Sequence, residues 1–136
     1  MREFGIELFN RWTAFWNGEL ELAEEIMAPE FTLRYAQPGA DAYDHIHDPQ
    51  AFAAKIENHR KLVPGLEFTV QGTPVIEMDD TLTGLVARPY GARFTGADGA
   101  PVNVSGTDIL RTKDGKIVEV WSASGGLIGR SYYPEG

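Results

Sequence analysis

The order of apolar and polar positions predicts three helices in the first half of the chain. Between residues 3 and 17, apolar side chains recur every three or four positions, which is typical of a helix with one buried face. The Asn17-Gly18 pair is expected to end this helix, because both residues tolerate a left-handed backbone. A second, short helix is predicted over about 19–27, and Pro29 stops it soon after.

The third helix has a well-marked start at Asp48-Pro49, where an N-cap carboxylate precedes a proline in the first helical position. The apolar periodicity continues to about residue 62. The face turned toward the core is expected to carry Phe52, Ile56 and His59.

Extended patterns begin between the second and third helices and dominate the second half of the chain. Residues 31–36 predict a strand with Tyr35 on its apolar side. From residue 66 onward, alternation and turn signals recur, including the Asp-Gly hairpin pair at 114–115. Helices followed by strands are typical of an α+β domain. We therefore predict one domain, residues 1–136, with three helices packed on a strongly curved, mostly antiparallel sheet, forming a cone (an α+β barrel) with an internal pocket.

One carboxylate interrupts an apolar face of the strand predicted at 102–112. The positions on that face are Val102, Val104, Gly106, Asp108 and Leu110. A carboxylate in such surroundings must be paired, hydrogen-bonded or protonated. Asp108 is therefore either a functional group that faces a pocket or a structural partner of an arginine such as Arg88 or Arg93.

The composition of the chain argues against several classes of function. The formal net charge is -8 and the pI is near 4.8, which argues against binding to nucleic acid or to an anionic membrane. The chain contains no cysteine, which excludes disulfides, thiolate metal sites and cysteine nucleophiles. The first residues do not resemble a secretory signal, and no apolar run has the length of a membrane span. We expect a cytoplasmic protein.

Three histidines and one tyrosine are further candidates. Tyr35 is expected either to donate its hydroxyl to a ligand or to be an aromatic core residue. His59 is either a general base or a residue at the edge of the core. His45 and His47 have a metal-site spacing but no evident third ligand, so no metal is predicted, and one imidazole is expected at the pocket mouth.

Two segments carry a resemblance to a known family. The stretch "FWNGELELAEEIMAPEF" resembles the helix, Asn-Gly turn, helix and strand entry of the nuclear transport factor 2-like superfamily, and of its SnoaL-like branch in particular. The stretch "GTDILRTKDGKIVEVW" resembles the last long hairpin of that family. The resemblance covers nearly the whole chain and implies a cone-shaped fold whose lining determines the function.

The resemblance can also be followed residue by residue. Asp108 falls where ketosteroid isomerases carry the aspartic acid of their oxyanion hole, before a similar x-x-Arg stretch, and their general-base aspartate falls at or beside Tyr35. SnoaL-type cyclases have a histidine at the Asp108 position and a catalytic aspartate that falls on Ser122. Limonene-epoxide-hydrolase-like enzymes also have an aspartate near Ser122. The residue pattern of none of these three enzyme groups is therefore complete in this chain.

Together, these features favour an acid/base enzyme that works without a cofactor. It would be of the isomerase, cyclase or dehydratase type and would act on a small, mostly apolar, oxygen-bearing molecule. Asp108, Tyr35 and His59 are the predicted catalytic residues. The pocket is expected to be lined by Trp12, Phe15, Phe52, Ile56, Val104, Leu110, Val120 and Ser122.

Two other functions stay open. The first is a protein that binds a hydrophobic ligand without transforming it, which Ser122 in place of an acid would favour. The second is a dimeric interaction domain with a filled core. Trp121 is expected on the outer sheet face with Ile117 and Glu119, a plausible surface for the homodimer that is common in the resembled family.

Overall fold

The computed structural model describes residues 1–134 and contains three α-helices and six strands. The helices are α1 (Arg2–Trp16), α2 (Leu22–Ile26) and α3 (Pro49–Leu62), with short 3-10 turns at Asp41–His45 and Gly126–Ile128. The strands are β1 (Met27–Tyr35), β2 (Glu67–Val70), β3 (Val75–Met78), β4 (Gly84–Thr95), β5 (Pro101–Lys113) and β6 (Lys116–Ser124). The α+β class and the three predicted helices are confirmed.

The second helix is shorter than predicted, and the first strand is longer. The strand β1 already begins at Met27 and includes Pro29. Its pairing with β6 is irregular between Met27 and Thr32. A proline has no N–H to donate, but β1 lies at the edge of the sheet, where this is tolerated.

The sheet is open, with the strand order β1-β6-β5-β4-β2. The strands β2 and β3 both pair with β4, one with each half of it, and β1 pairs with β6 in parallel. All other pairs are antiparallel. The helices cover the inner face of this sheet, which fits the cone predicted from the sequence. Within residues 1–134, no helix is long and apolar enough to cross a membrane.

The hairpin predicted from the Asp-Gly pair is present between β5 and β6. Lys113 pairs with Lys116 and leaves Asp114 and Gly115 as a two-residue loop. Both loop residues have positive φ, 50° for Asp114 and 81° for Gly115, which is the type I′ geometry that suits the twist of the strands.

A β-bulge in β6 contradicts one detail of the sequence prediction. Arg111 pairs with Glu119 and Thr112 with Ile117, so Val118 has no partner. The extra residue reverses the alternation: Ile117 is fully buried in the core, while Glu119 stays on the outer face. The prediction that Ile117 lies on the outer face was therefore wrong.

Two polar side chains attach the helices to β2. The Asn17 side-chain amide, at the end of α1, donates to the carbonyl of Phe68 at 2.9 Å and accepts from its N–H at 2.7 Å. Arg60 of α3 donates to the carbonyls of Trp16, at 3.0 Å, and Leu66, at 2.8 Å. These bonds satisfy backbone groups of Trp16, Leu66 and Phe68 and connect the ends of α1 and α3 to the start of β2.

Asp48→Ala is expected to lower the free energy of unfolding by about 1 kcal/mol, because the Asp48 carboxylate caps α3 by accepting from the N–H of Ala51 at 2.9 Å. Urea denaturation followed by tryptophan fluorescence measures this change. Asp44→Ala is the control, since Asp44 is exposed, and it should change stability by less than about 0.5 kcal/mol. Equal losses in the two variants would contradict the capping role.

Candidate functional site

A cavity of about 270 Å³ lies between the helices and the inner face of the sheet. Its wall is largely aromatic and includes Trp12, Trp16, Tyr43, Phe68, Tyr90 and Phe94. The polar side chains that also line it include Tyr35, Gln37, Lys55, His59, Asp108 and Ser122. An apolar concavity with a few converging polar groups has the character of a small-molecule site.

Asp108 lies in the middle of β5 and is 6% exposed. The indole N–H of Trp12, on α1, donates to its Oδ2 at 2.9 Å, while its Oδ1 is buried without a hydrogen-bond partner among the described residues. Burial raises the pKa of Asp108 from 3.8 to about 6, and the Ser122 hydroxyl and the Trp12 N–H partly offset the increase because they favour the charged form. Oδ2 is therefore held in place by Trp12, and Oδ1 is available to a ligand.

Within the part of the chain that the structure describes, the Asp108 side chain does not pair with an arginine, which was its structural alternative. Arg88 pairs with Asp108 in the register of β4 and β5, but its side chain donates to the carbonyls of Gln71, at 3.1 Å, and Gly72, at 2.8 Å. It thereby satisfies backbone groups just beyond the end of β2. Within residues 1–134, Trp12 donates a hydrogen bond of good geometry to the Asp108 side chain, and the Ser122 hydroxyl on the neighbouring strand lies close enough to favour the carboxylate as well.

The buried polar atoms without partners are concentrated in this cavity. Within residues 1–134 they are Trp16 Nε1, Tyr35 OH, Gln37 Oε1 and Asp108 Oδ1, and all four residues line the cavity. Because more than nine in ten buried polar groups in proteins are satisfied, a cluster of unsatisfied groups needs an explanation. A ligand with polar atoms, or water that it displaces, would satisfy them.

Two tyrosines near Asp108 are held in the protonated form. Burial, followed by the negative charge of Asp108, raises the pKa of Tyr35 well above 10 and that of Tyr90 to about 12. Each phenol therefore keeps its proton at neutral pH. Ser122 lies opposite Asp108 in the register of β5 and β6. Its hydroxyl oxygen accepts a hydrogen bond from Gln37 Nε2 at 2.7 Å, so the hydroxyl proton can be donated to Asp108 or to a ligand.

Gly106 makes room for the Tyr90 phenol. The two residues pair across β4 and β5, and a Cβ on Gly106 would lie 2.5 Å from the Tyr90 hydroxyl oxygen. That is far inside van der Waals contact, so a larger residue would push the ring away. The glycine on the inner face thus places a phenol in the cavity.

His59 and Lys55 approach the cavity from α3, one helical turn apart. Burial, and then the positive charges of Lys55 and Arg60, lower the pKa of His59 below 6.5. The imidazole is therefore neutral at neutral pH. Its ring lies edge-on to Trp16, with 6.3 Å between centroids.

The structure separates the predicted pocket residues into two groups. Trp12, Tyr35, His59, Val104, Asp108 and Ser122 line the cavity. Phe15, Phe52, Ile56, Leu110 and Val120 do not, and this part of the expectation needs correction: each is 0% exposed and lies in the packed core. They share a face with cavity residues but lie where the helices pack closely on the sheet; Phe15 and Phe52, for example, are 4.9 Å apart between ring centroids.

The loop histidines do not reach the cavity wall. His45 is exposed, and His47 forms a 2.9 Å hydrogen bond through Nδ1 with the carbonyl of Phe31. The expectation of an imidazole from this loop at the pocket mouth is wrong, because Tyr43 is the loop residue that turns inward. Within the described part of the chain, no group of three or more His, Asp or Glu residues is placed to hold a metal ion.

Most of the residues that line the cavity were not predicted, among them Trp16, Gln37, Tyr43, Lys55 and Tyr90. Trp16 lies beside the apolar stripe of α1, and Tyr90 follows the inner alternation of β4, so both could have been found from periodicity. Gln37 and Tyr43 belong to a loop without a regular pattern, and Lys55 looks like an ordinary charged position on a helix. Only the fold brings these three to the cavity.

Comparison with known proteins gives a consistent picture. A family model described as a SnoaL-like domain matches residues 7–120. No curated protein sequence matches the chain at a significant level. Among solved structures, IdmH from Streptomyces antibioticus, a candidate polyketide cyclase, has a TM-score of 0.71 and 23% identity, with 88% of this chain and 91% of that chain covered.

Two further structures have the same fold. A candidate polyketide cyclase from Acidithiobacillus ferrooxidans has a TM-score of 0.70 and 18% identity over 91% of this chain and 89% of that chain. A candidate isomerase of the SnoaL-like family from Agrobacterium tumefaciens has a TM-score of 0.62 and 24% identity over 91% of this chain and 99% of that chain. At these identities, the similarity establishes the fold.

Trp12→Phe is expected to raise the pKa of Asp108 above about 6, because the Trp12 N–H favours the ionised carboxylate. Carboxyl-carbon NMR titration of the free protein measures the pKa. Trp16→Phe is the matched control: Trp16 also lines the cavity, but its N–H has no partner within residues 1–134, so the pKa should not move. A pKa that stays the same or falls in Trp12→Phe would show that the hydrogen bond does not stabilise the carboxylate.

Asp108 is also expected to make stability depend on pH. Its pKa is about 6 in the folded protein, against an ordinary value of 3.8, so the folded state binds more protons between these values and loses stability as pH rises through them. The Asp108→Asn variant should gain up to about 3 kcal/mol relative to wild type between pH 4 and pH 7.5. Urea denaturation at both pH values tests this, with exposed Asp80→Asn as a control that should show no such gain.

Proposed function

The chain belongs to the SnoaL-like domain family, and we propose that it is an acid/base enzyme that needs no cofactor and acts on an apolar, oxygen-bearing small molecule. The reaction would be an isomerisation, cyclisation or dehydration that starts with removal of a proton beside a carbonyl group. The observation that carries this proposal is the Asp108 carboxyl, which is buried at the cavity with Oδ2 bound to Trp12 and Oδ1 unpartnered within residues 1–134.

Asp108 would be the general base. Its pKa of about 6 means that most molecules carry the carboxylate at pH 7, yet the group is more basic than an ordinary aspartate. Trp12 restricts the carboxyl through Oδ2, which leaves Oδ1 to accept the proton. A base with a pKa close to the working pH combines the correct protonation state with a strong driving force for proton transfer.

Tyr35 and Tyr90 would stabilise the oxyanion that forms on the substrate. Both phenols line the cavity with Asp108 and keep their protons at neutral pH. The Tyr35 hydroxyl has no partner within residues 1–134, so it can donate to a ligand without breaking an existing bond. Donors that are already in place stabilise developing charge without having to reorganise during the reaction.

His59 would be the second proton-transfer group. A neutral imidazole can accept a proton from a substrate or from water and return it at another atom. The similar structures are named as two candidate polyketide cyclases and one candidate isomerase, which supports a cyclisation or an isomerisation by analogy.

A binding protein without catalytic activity is the second possibility, and Ser122 is the observation that favours it. It pairs with Asp108 and supplies a hydroxyl at the position where two of the resembled enzyme groups carry an acid. The third possibility, an interaction domain, was expected to have a filled core, and the cavity argues against it.

A homodimer formed through the outer sheet face stays a prediction, as does a cytoplasmic location. Trp121 is 36% exposed on that face, where Glu119 accepts from Arg34 and Arg111. Because Ile117 is buried, the apolar part of this surface is smaller than the sequence indicated.

Hydrogen–deuterium exchange at the α-carbons of 2-tetralone, followed by proton NMR in D2O, tests the proposed activity. The wild-type protein should accelerate exchange beyond the buffer rate, with a rate that rises through a pH of about 6 as Asp108 ionises. Asp108→Asn should lower the rate at least 100-fold, an order of magnitude typical of general bases. Tyr35→Phe should lower it roughly tenfold or more.

Asp80→Asn is the control for charge and should leave the rate unchanged, since Asp80 is exposed and outside the cavity. Saturable binding of 2-tetralone without accelerated exchange would favour the binding protein. Full activity in Asp108→Asn would exclude the proposed base.

A further inference from the structure

A second group of side chains lines the cavity from the helical side. We call it the helix-side cluster; it consists of Trp16, Tyr43, Lys55 and His59. The ring centroid of Trp16 lies 6.2 Å from that of Tyr43 and 6.3 Å from that of His59. The ammonium of Lys55 lies 5.4 Å from the centroid of the Tyr43 ring, within the range of a cation–π contact.

Two donors in this cluster have no acceptor within residues 1–134. The Trp16 Nε1 is buried without a hydrogen-bond partner. Lys55 lines the cavity, is half-buried, and forms no salt bridge with a described carboxylate. Both side chains lie against the Tyr43 ring, which places the two donors in the same part of the cavity wall.

The neighbouring basic side chains cannot take the place of Lys55. Arg60 uses its guanidinium to bind the carbonyls of Trp16 and Leu66 and does not line the cavity. His59 is neutral at neutral pH, because burial and the two adjacent cations lower its pKa. Among residues 1–134, Lys55 is therefore the cation that the cavity wall offers to a ligand.

We propose that the helix-side cluster binds a carboxylate of the ligand, through the Lys55 ammonium and the Trp16 N–H. The substrates would then be aromatic or otherwise flat apolar carboxylates, held with the acid at the helices and the reacting carbon at Asp108. This specificity rests on the proposed function, because it assumes that the cavity holds the substrate. The rings of Trp16, Tyr35 and Tyr43 lie within about 35° of parallel and form a wall that suits a flat molecule.

Electrostatics make a local cation necessary for such a ligand. The chain has a net charge of -8, and ionised Asp108 adds a negative charge inside the cavity, so an anion is disfavoured unless a positive group compensates for it. Lys55 supplies that charge in the same part of the cavity wall as the buried Trp16 N–H. Charge-assisted bonds of this kind are about twice as strong as neutral ones.

The test compares 2-naphthoate with 2-naphthamide, which has a similar shape but no charge. Isothermal titration calorimetry at pH 7.5 should show that the wild type binds 2-naphthoate roughly tenfold more tightly. Lys55→Met should abolish this preference while leaving 2-naphthamide affinity within about twofold, which also reports that the variant is folded. Lys55→Arg should keep most of the preference, and Trp16→Phe should lower it.

Lys61→Met is the matched control, because Lys61 is on the same helix, exposed and away from the cavity. Asp108→Asn should keep or increase the preference, so the binding result stands even where the proposed chemistry fails. Equal affinity for the two probes, no 2-naphthoate binding at millimolar concentration, or an unchanged preference in Lys55→Met would each overturn the proposal.

Discussion

The hydrogen bond from Trp12 to Asp108 is the interaction on which the site depends. It connects α1 to the centre of β5, between residues 96 positions apart in the chain, and it is buried. A carboxyl group at that depth needs at least one donor, and the indole is the one that the fold supplies. The bond holds one oxygen and leaves the other at the cavity, so it positions both the helix and the reactive group.

The cavity exists because side chains fill only one part of the space between the helices and the inner face of the sheet. Phe15, Phe52, Ile56, Leu110 and Val120 fill the packed core, where helices and sheet are in close contact. Farther along the same faces, hydrogen bonds from Asn17 and Arg60 hold the helix ends to β2. The space between the packed core and these bonds is the cavity. Its wall is largely aromatic, and several of its polar atoms have no hydrogen-bond partner within residues 1–134, so they are available to a ligand.

Local rules correctly predicted several parts of this protein. The cap at Asp48, the positive-φ turn at 114–115 and the inward direction of Asp108 each depend on residues close together in sequence. The position of Ile117 could not be predicted in this way, because the bulge at Val118 is defined by the register against β5. A shift of one residue moves a side chain from one face of a sheet to the other.

The sequence by itself determined the fold class, the main helices and, outside the bulge, the face of residues such as Asp108 and Leu110 in the strands that it predicted, because periodicity encodes direction. It did not determine which residues of a face lie in the packed core and which border the cavity. Leu110 and Asp108 share a face, yet Leu110 lies in the core and Asp108 borders the cavity. It also did not determine partners. Trp12 on Asp108, and Lys55 beside Tyr43, come together only when distant segments pack. The tertiary structure therefore decided which polar groups are satisfied and which are left for a ligand.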